Sequence, residues 1–524
     1  LEILILLRRI QMEKRNKKSL YPHQEEGVRR ALQEPFFALF MEQGTGKTAV
    51  AIRTLVKRFR EQGLHRVAIF APNTLIYNWS IEIKEWADLP KSQVKILRLE
   101  GKKSDWVNQL DQFRKYDPEL CTKKELALRG RKADFLKNHK PPLMILLINY
   151  EKARLIESQL RKLRIQSLVA DESQRLKSRN AQVSKAIYRV TRNCDTRMLL
   201  SGTPMSKGYE DLFMQYKIMD PEIFGENYSD FESRYITKGG YMGKEIVGYQ
   251  NLDELRERVS QTSYRVEIDD CIDLPPMEFK YLTCELTGKA LKAYRELYND
   301  LYTQIPLEAS RSRLKAILRQ NYIDYSPGEG YLSLLLKAEP YINVASCDLT
   351  IIQLIRLHQL TGGFLKLDSG EVVRLGEDKL KLAIEYLRDR ALPTVVFCNF
   401  VEEIRLLERE FKKAFPHKRV VNYRDSQNRE KVQEDFKRGK VDIIILQIHS
   451  GSTGLNFQRA NAVLFYSTNH SGDDYSQAIC RIKRPGQENQ MEVVSLLCEG
   501  TIDEDIANSL RSKLRLMKDL WKKS

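Results

Sequence analysis

The 524-residue chain has no Cys-x-x-Cys pair, and none of its eight cysteines (121, 194, 271, 284, 347, 398, 480 and 498) stands with histidine at zinc spacing. This excludes a zinc module and a disulfide scaffold. The cysteines read as reduced thiols of an intracellular protein. No apolar run approaches the roughly 20 residues that span a bilayer. The opening "LEILILL" is short, carries Glu2 and lacks a small-residue cleavage site, so it reads as a helix or strand of the fold and not as a signal peptide. Short-period repeats and low-complexity tracts are absent too. Acid is in deficit: 70 Asp+Glu face 87 Lys+Arg, a formal net charge of +17. That balance points to a polyanion partner, most often nucleic acid, with a lysine-rich surface as the plain alternative.

The length suits roughly three or four domains of about 150 residues. "FFALFM" (36–41), "RVAIFA" (66–71), "LMILLI" (143–148), "SLVAD" (167–171) and "RMLLS" (197–201) read as buried strands. Helical stretches follow several of them, so the reading is α/β, with a parallel sheet covered on both faces. The alternation lapses after 204. Residues 205–270 read as helical and polar, with "KGGYMGKEIVG" (238–248) as an exposed hairpin, and 271–377 as a linker with a helical insert. A second alternating set follows from 378 to 524: "TVVFCNF" (394–400), "VDIIIL" (441–446), "AVLFYS" (462–467) and "MEVVSLL" (491–497).

"MEQGTGKT" (41–48) directly follows the first strand and precedes a helix. Phosphate binding needs that geometry. Glycines let backbone N–H groups turn onto phosphate oxygens, and the helix N-terminus adds positive dipole. Gln43, Gly44, Thr45 and Gly46 form the candidate cradle. Lys47 reaches the β- and γ-phosphates, and the Thr48 hydroxyl suits Mg²⁺. Position 41 is Met where the strict motif has Gly. A structural glycine turn is the plain alternative. "VADESQ" (169–174) ends a strand in two carboxylates. Asp171 is the candidate Mg²⁺ ligand and Glu172 orients or activates the attacking water. "QAICRIKRPGQ" (477–487) offers Arg481 and Arg484, three apart and therefore expected on one helical face, as charges for the transferred phosphoryl. Their distance along the chain from Lys47 suggests ATP between two lobes, with hydrolysis tied to closure. The plain alternative is a basic helix on a basic protein.

From about residue 18 to 515 the order of these segments resembles the superfamily 2 helicase-like ATPases, specifically the Swi/Snf class of double-stranded DNA translocases. "LYPHQEEGV" (20–28) is similar to that class's adenine-reading segment, with Gln24 in the recognition position and Tyr21 nearby. "APNTLIYNW" (71–79), which holds Asn73, and "LINYE" (147–151) resemble its first DNA-contacting motifs. "RLKSRNAQVSKA" (175–186) resembles its backbone-contacting segment. "LLSGTPM" (199–205) resembles the motif that couples ATP state to DNA grip through Ser201 and Thr203. "YRVEIDDCIDLPP" (264–276) is similar to the exit from the first lobe, with Arg265 alone where the class often has paired arginines. "VVFCNF", "HSGSTGLNFQRANAVLFY" (449–466) and the segment that opens on Gln477 resemble the second-lobe motifs, and "GTIDEDIANSL" (500–510) the closing brace. Gln174 replaces a usual His and is expected to bond across to the other lobe. The compact form is similar to prokaryotic or viral members.

The resemblance implies two RecA-like parallel-sheet lobes in tandem: lobe 1 at 1–204 with a helical protrusion at 205–270, and lobe 2 at 378–524. It implies ATP and Mg²⁺ as cofactors, with Lys47, Asp171, Glu172, Gln477, Arg481 and Arg484 in catalytic positions. The implied activity is ATP-dependent, sequence-independent translocation on double-stranded DNA. The alternatives are a strand-separating DNA or RNA helicase and a non-catalytic nucleic-acid scaffold. A translocase holds the backbone without reading bases. Candidates are Lys177, Ser178, Arg179 and Asn180 in the first lobe, and Ser450, Gly451, Ser452 and Thr453 in the second. The stretch 121–140, with seven Lys/Arg against two acids, and the basic tail 511–523 are either DNA-facing or solvated helices. A monomer is expected, because one chain carries both halves of the site. The expected location is a prokaryotic or virus-infected cytoplasm, or a eukaryotic nucleus.

Overall fold

The computed structural model describes residues 19–115, 141–239, 245–304, 347–426, 428–451 and 455–521. The opening "LEILILL" and the basic stretch 121–140 lie outside them. The described residues fall into two compact units. One runs to Glu232 and includes Asp253–Cys271; the other comprises Ser233–Leu252 and the chain from Ile272 onward.

The first unit is built on a seven-stranded sheet. Its strands are β1 (Phe36–Met41), β2 (Arg66–Ala71), β3 (Val94–Arg98), β4 (Leu143–Asn149), β5 (Ser167–Asp171), β6 (Thr196–Leu200) and β9 (Ser263–Val266). Their spatial order is β3-β4-β2-β5-β6-β1-β9, and every pairing is parallel. β2, β4 and β5 are buried along their whole length, because helices cover both faces of a parallel sheet. Each large apolar side chain so buried contributes on the order of 1.5–3 kcal/mol. The helix Lys47–Gln62 leaves β1 and packs Val50, Ile52, Leu55 and Val56 into this core. It ends at Gly63, whose left-handed φ of 71° closes the last turn by an N–H bond to the Arg58 carbonyl. Arg58 itself is buried and donates to the carbonyls of Ala31 and Glu34, tying the end of the preceding helix, Pro22–Gln33, to this one.

The second unit holds a six-stranded, all-parallel sheet. It contains β10 (Met277–Cys284), β13 (Thr394–Cys398), β14 (Val420–Asn422), β15 (Ile443–Gln447), β16 (Ala462–Phe465) and β17 (Met491–Cys498). The order is β10-β17-β16-β13-β15-β14. Two antiparallel hairpins complete the strands, β7 (Ile236–Gly239) with β8 (Glu245–Tyr249), and β11 (Phe364–Lys366) with β12 (Val372–Arg374). The first is the hairpin expected from "KGGYMGKEIVG".

The two α/β lobes expected from the sequence are therefore present, with boundaries that differ in two places. β9 lies within 205–270 yet closes the first sheet beside β1, and β10 lies within 271–377 yet forms the edge of the second. The helix Glu210–Met219, expected in a polar protrusion, packs on β1 and β6 and is buried on nearly all sides. Aromatic residues make the difference: Phe213, Tyr216, Phe224 and Phe231 stack edge-to-face around it.

Candidate nucleotide and nucleic-acid site

Sheet order brings the candidate residues of the first lobe together. β6 lies between β5 and β1, with Leu200 level with Asp171 on one side and Leu39 on the other. The carboxyl ends of these three strands deliver Asp171–Glu172, Ser201–Thr203 and the loop 42–46 to one edge. Ligands of open parallel sheets bind at such an edge.

The loop has the backbone that its glycines suggest. Gly44 and Gly46 take left-handed φ values of 88° and 89°. A Cβ at Gly46 would fall 2.1 Å from the Gln24 amide nitrogen, so only glycine fits. Gln24 is buried and spans helix and loop: its Nε2 donates to the Thr45 carbonyl at 3.0 Å, and its Oε1 accepts the Tyr21 N–H at 3.1 Å. His23 meets the same carbonyl at 2.9 Å. Tyr21 is exposed and stacks on His23, leaving a ring face open to a planar base. Lys47 curls over the loop and donates from Nζ to the carbonyls of Met41 (2.6 Å) and Glu42 (3.1 Å). No side chain caps the helix that Lys47 begins, and the buried Gln43 Oε1 has no hydrogen-bond partner. Thr48, in the first turn, is half-buried. Open donors at a helix end, a cradle that only glycine allows and the Lys47 ammonium above it fit the phosphates of a nucleotide.

Asp171 is buried at 7% exposure. The Trp79 indole donates to its Oδ2 at 2.8 Å, and the Glu172 N–H to its Oδ1 at 3.0 Å. The Tyr150 hydroxyl holds its carbonyl at 2.6 Å. Burial and the neighbouring Glu172 push the Asp171 carboxyl up to about 7, against the pull of Trp79 and Lys47. Glu172 sits at a left-handed φ of 52°, a conformation a non-glycine residue adopts only when its surroundings hold it. A chain of bonds does so. Gln174 Nε2 donates to Glu172 Oε2 (2.7 Å), Ser201 Oγ donates to Gln174 Oε1 (2.8 Å), and the Thr203 N–H donates to Ser201 Oγ (3.0 Å). Gln174, expected to reach the other lobe, thus spends both ends of its amide within its own lobe. The reason is reach: Glu172 and Ser201 flank it at adjacent strand ends. Gln215 braces the same edge from the buried helix, accepting from Ser173 and donating to the Pro204 carbonyl.

The exit segment is tied in as well. Arg265 donates to the carbonyls of Phe40 and Gly202 and pairs with Glu267, while Glu42 accepts the Ile268 N–H.

Of the first-lobe nucleic-acid candidates, Ser178, Arg179 and Asn180 are exposed on the turn after the carboxylates. The Arg179 guanidinium lies 3.7 Å from the centroid of the Tyr228 ring, which presents it in one orientation. Lys177 is turned inward, to the Ser206 hydroxyl and Asp211. Asn73 starts the helix Asn73–Trp86 and is exposed; its Oδ1 accepts from Asn149, which links the two resembling segments. Both line a pocket of about 190 Å³ with Tyr77, Arg98 and Lys152.

In the second lobe the expected pairing of Arg481 and Arg484 on a helical face is corrected. The helix Gly472–Ile479 stops before either: the N–H groups of Arg481 and Ile482 bond three residues back, to Ala478 and Ile479, and the Arg481 carbonyl accepts the Phe457 N–H instead of continuing a helix. The two arginines differ in environment. Arg481 is buried at 2% exposure and donates from Nη1 to the Leu455 carbonyl; Arg484 is half-exposed, with Nε on the Cys480 carbonyl. Gln477, on the helix itself, is buried and its Oε1 has no hydrogen-bond partner. Ser450 and Gly451 end the short helix Ile448–Gly451; Ser452 and Thr453 lie outside the described residues. Trp79, Tyr150 and Gln215 were not singled out from sequence. Trp79 stood inside "APNTLIYNW", where its role in holding Asp171 had no separate signal.

The model of the SNF2-related domain matches residues 23–325, and that of the helicase conserved C-terminal domain matches residues 378–486. The chain is 22% identical over 515 residues to the "CHD3-type chromatin-remodeling factor PICKLE" of Arabidopsis thaliana, covering 95% of this chain and 34% of that one. It is 24% identical over 528 residues to the "DNA repair and recombination protein RAD54-like" of Drosophila ananassae, covering 93% and 61%. The chain thus spans between about a third and three fifths of the length of these relatives. Two solved structures of the Sulfolobus solfataricus SWI2/SNF2 ATPase core, one in complex with dsDNA, match at 21% and 20% identity, over 96% and 97% of this chain and 93% and 92% of theirs, with TM-scores of 0.39 and 0.40. Among the described residues no helix is long and apolar enough to cross a membrane. The SNF2-related match alone covers more than half of the chain, and the chain belongs to the SNF2-related, Swi/Snf class of helicase-like ATPases.

Proposed function

We propose that the protein is an ATP-dependent, sequence-independent translocase on double-stranded DNA. The reading rests on one observation above the others: the bonded path from Glu172 through Gln174 and Ser201 to Thr203. It ties the candidate hydrolytic carboxylate at the end of β5 to the end of β6, the segment whose resemblance implies coupling of ATP state to DNA grip. Lys47, the loop N–H groups and Tyr21 hold ATP. Thr48 and Asp171 would hold Mg²⁺, which would supply charge neutralisation at the phosphates. Asp171 would act there in its deprotonated form, and Glu172 orients the attacking water. Arg484 serves the transferred phosphoryl; Arg481 positions the 455–457 segment from within the lobe. Ser178, Arg179 and Asn180 hold the DNA backbone, and Asn73 assists.

The test is displacement of a third strand from triplex DNA, run beside unwinding of a forked duplex. A translocase displaces the third strand with ATP and leaves the fork intact; fork unwinding would transfer the protein to the strand-separating helicases. Binding to duplex should weaken linearly on a log–log salt plot, with a slope near −0.9 per neutralised phosphate.

A further inference from the structure

The second lobe holds two neighbouring thiols that the proposed reaction does not use. Cys284 ends β10 and Cys498 ends β17. They are register partners on adjacent parallel strands, so both side chains leave the same face of the sheet, and their sulfurs stand 3.7 Å apart. Neighbouring strands run about 4.8 Å apart. Disulfides join Cα atoms about 4.4–6.8 Å apart, so side-chain rotation suffices for bonding. The two sites are not equivalent. Cys284 is half-buried at the sheet edge. Cys498 is buried, with its N–H on Asp503 Oδ2 at 2.9 Å and its sulfur 3.6 Å from the Thr361 carbonyl.

We propose that Cys284 and Cys498 form a peroxide-sensitive thiol pair that closes to a reversible disulfide and clamps the edge strand β10 to β17. The contact with the Cys498 sulfur holds the Cys284 thiol below its ordinary range against burial, with the Lys379 ammonium assisting; the same contact and burial push Cys498 up. Cys284 is therefore the attacking thiolate and Cys498 the resolving thiol. The Cys284 sulfur attacks one oxygen of hydrogen peroxide. The O–O bond breaks, a proton is taken up, and water leaves, giving the sulfenic acid. The Cys498 sulfur then attacks the Cys284 sulfur, and its proton departs with the hydroxyl as a second water. Two thiols are oxidised by two electrons and one peroxide is reduced to two waters. A dithiol reverses the bond by exchange. The half-exposed Cys271 serves as an internal control, because burial and Asp270 push its thiol up instead.

The experiment treats the reduced full chain with stoichiometric hydrogen peroxide, alkylates it, digests it without reductant and maps the peptides by mass. The expected result is a linked peptide pair containing Cys284 and Cys498, two hydrogens lighter than the reduced pair and lost on dithiothreitol. The second-lobe melting temperature should rise by roughly 5 °C or more. Cys284→Ser should lose both effects while melting like the untreated parent. Recovery of Cys284 and Cys498 both alkylated after treatment, or linkage of either to a different cysteine, overturns the proposal. The wild-type map decides the matter alone if Cys284→Ser fails to fold.

Discussion

Asp171 in the first lobe and Asp503 in the second are both buried aspartates at the end of a parallel sheet, and they behave in opposite ways. Burial raises the pKa of each. At Asp503 the Lys379 ammonium, His358 and the Cys498 N–H outweigh burial and keep the carboxylate charged. Lys379 is 1% exposed on its side chain and is itself held charged against burial by Asp503. At Asp171 burial and Glu172 prevail, and the group stands at about 7. The second lobe carries its counter-charge in its own sequence, and its aspartate joins the helices Cys347–Thr361, Asp378–Arg388 and Ile502–Asp519. In the first lobe Lys47 does not offset burial and Glu172, and under the proposed function a cation and a nucleotide complete the balance. A buried carboxylate with a covalently supplied partner serves structure, and one without it is poised for chemistry.

The sharpest break of this comparison is in turnover. Lys47→Ala should lower steady-state ATP hydrolysis by at least about a hundredfold and leave duplex binding mostly intact, by phosphate release and by anisotropy with labelled DNA. Asp171→Asn should do nearly the same to turnover, with a stability cost of about 1–3 kcal/mol because the amide nitrogen cannot accept the N–H bond that one Asp171 oxygen takes. Asp503→Ala should invert that pattern: stranding Lys379 costs about 3–5 kcal/mol, read as a lowered denaturation midpoint of the second lobe. If the two substitutions had matching effects, the contrast between the lobes would fail.

The two arginines divide in the same manner. Arg484→Ala should retain nucleotide binding and lose turnover, whereas Arg481→Ala should first lose stability, because its guanidinium supports the Leu455 carbonyl from a buried position. Loss of nucleotide binding in Arg484→Ala would remove it from the phosphoryl site.

Proton competition gives the smallest effect. Because the folded Asp171 is raised above its unfolded range, the folded protein binds an extra proton between about pH 4 and 7. This group therefore supports stability at low pH, and that support is lost as pH rises through about 7. Metal needs the deprotonated form, so affinity for Mg²⁺-nucleotide should climb over the same upper range. In Asp171→Asn both trends should flatten, as followed by melting and by nucleotide titration.

Much of the fold was legible, and what escaped has a common location. The strands foreseen from apolar runs, β1, β2, β4, β5 and β6 with β13, β15, β16 and β17, are the interior strands of the two sheets. Within these two sheets, the four strands that escaped, β3, β9, β10 and β14, are the four edges. An edge strand has one pairing side and half-buried faces, so it carries mixed residues. "VKILR" and "MEFKYLTC" show no continuous apolar run. The nucleotide loop and the carboxylate pair were readable because local backbone and chemistry coincide in a few residues. The Glu172–Gln174–Ser201 path was not, because it depends on β5 and β6 being neighbours. The helical face assigned to Arg481 and Arg484 was misread because the helix ends at Ile479, where the Arg481 backbone turns to bond Ala478 and the distant Phe457.

The most direct measurement is ATP hydrolysis by the wild-type chain and by Lys47→Ala, each with and without duplex DNA. The account predicts hydrolysis that duplex stimulates in the wild type and that is lost in Lys47→Ala at DNA concentrations where both bind. Equal hydrolysis by the two proteins, or a wild-type rate that duplex does not alter, would contradict it.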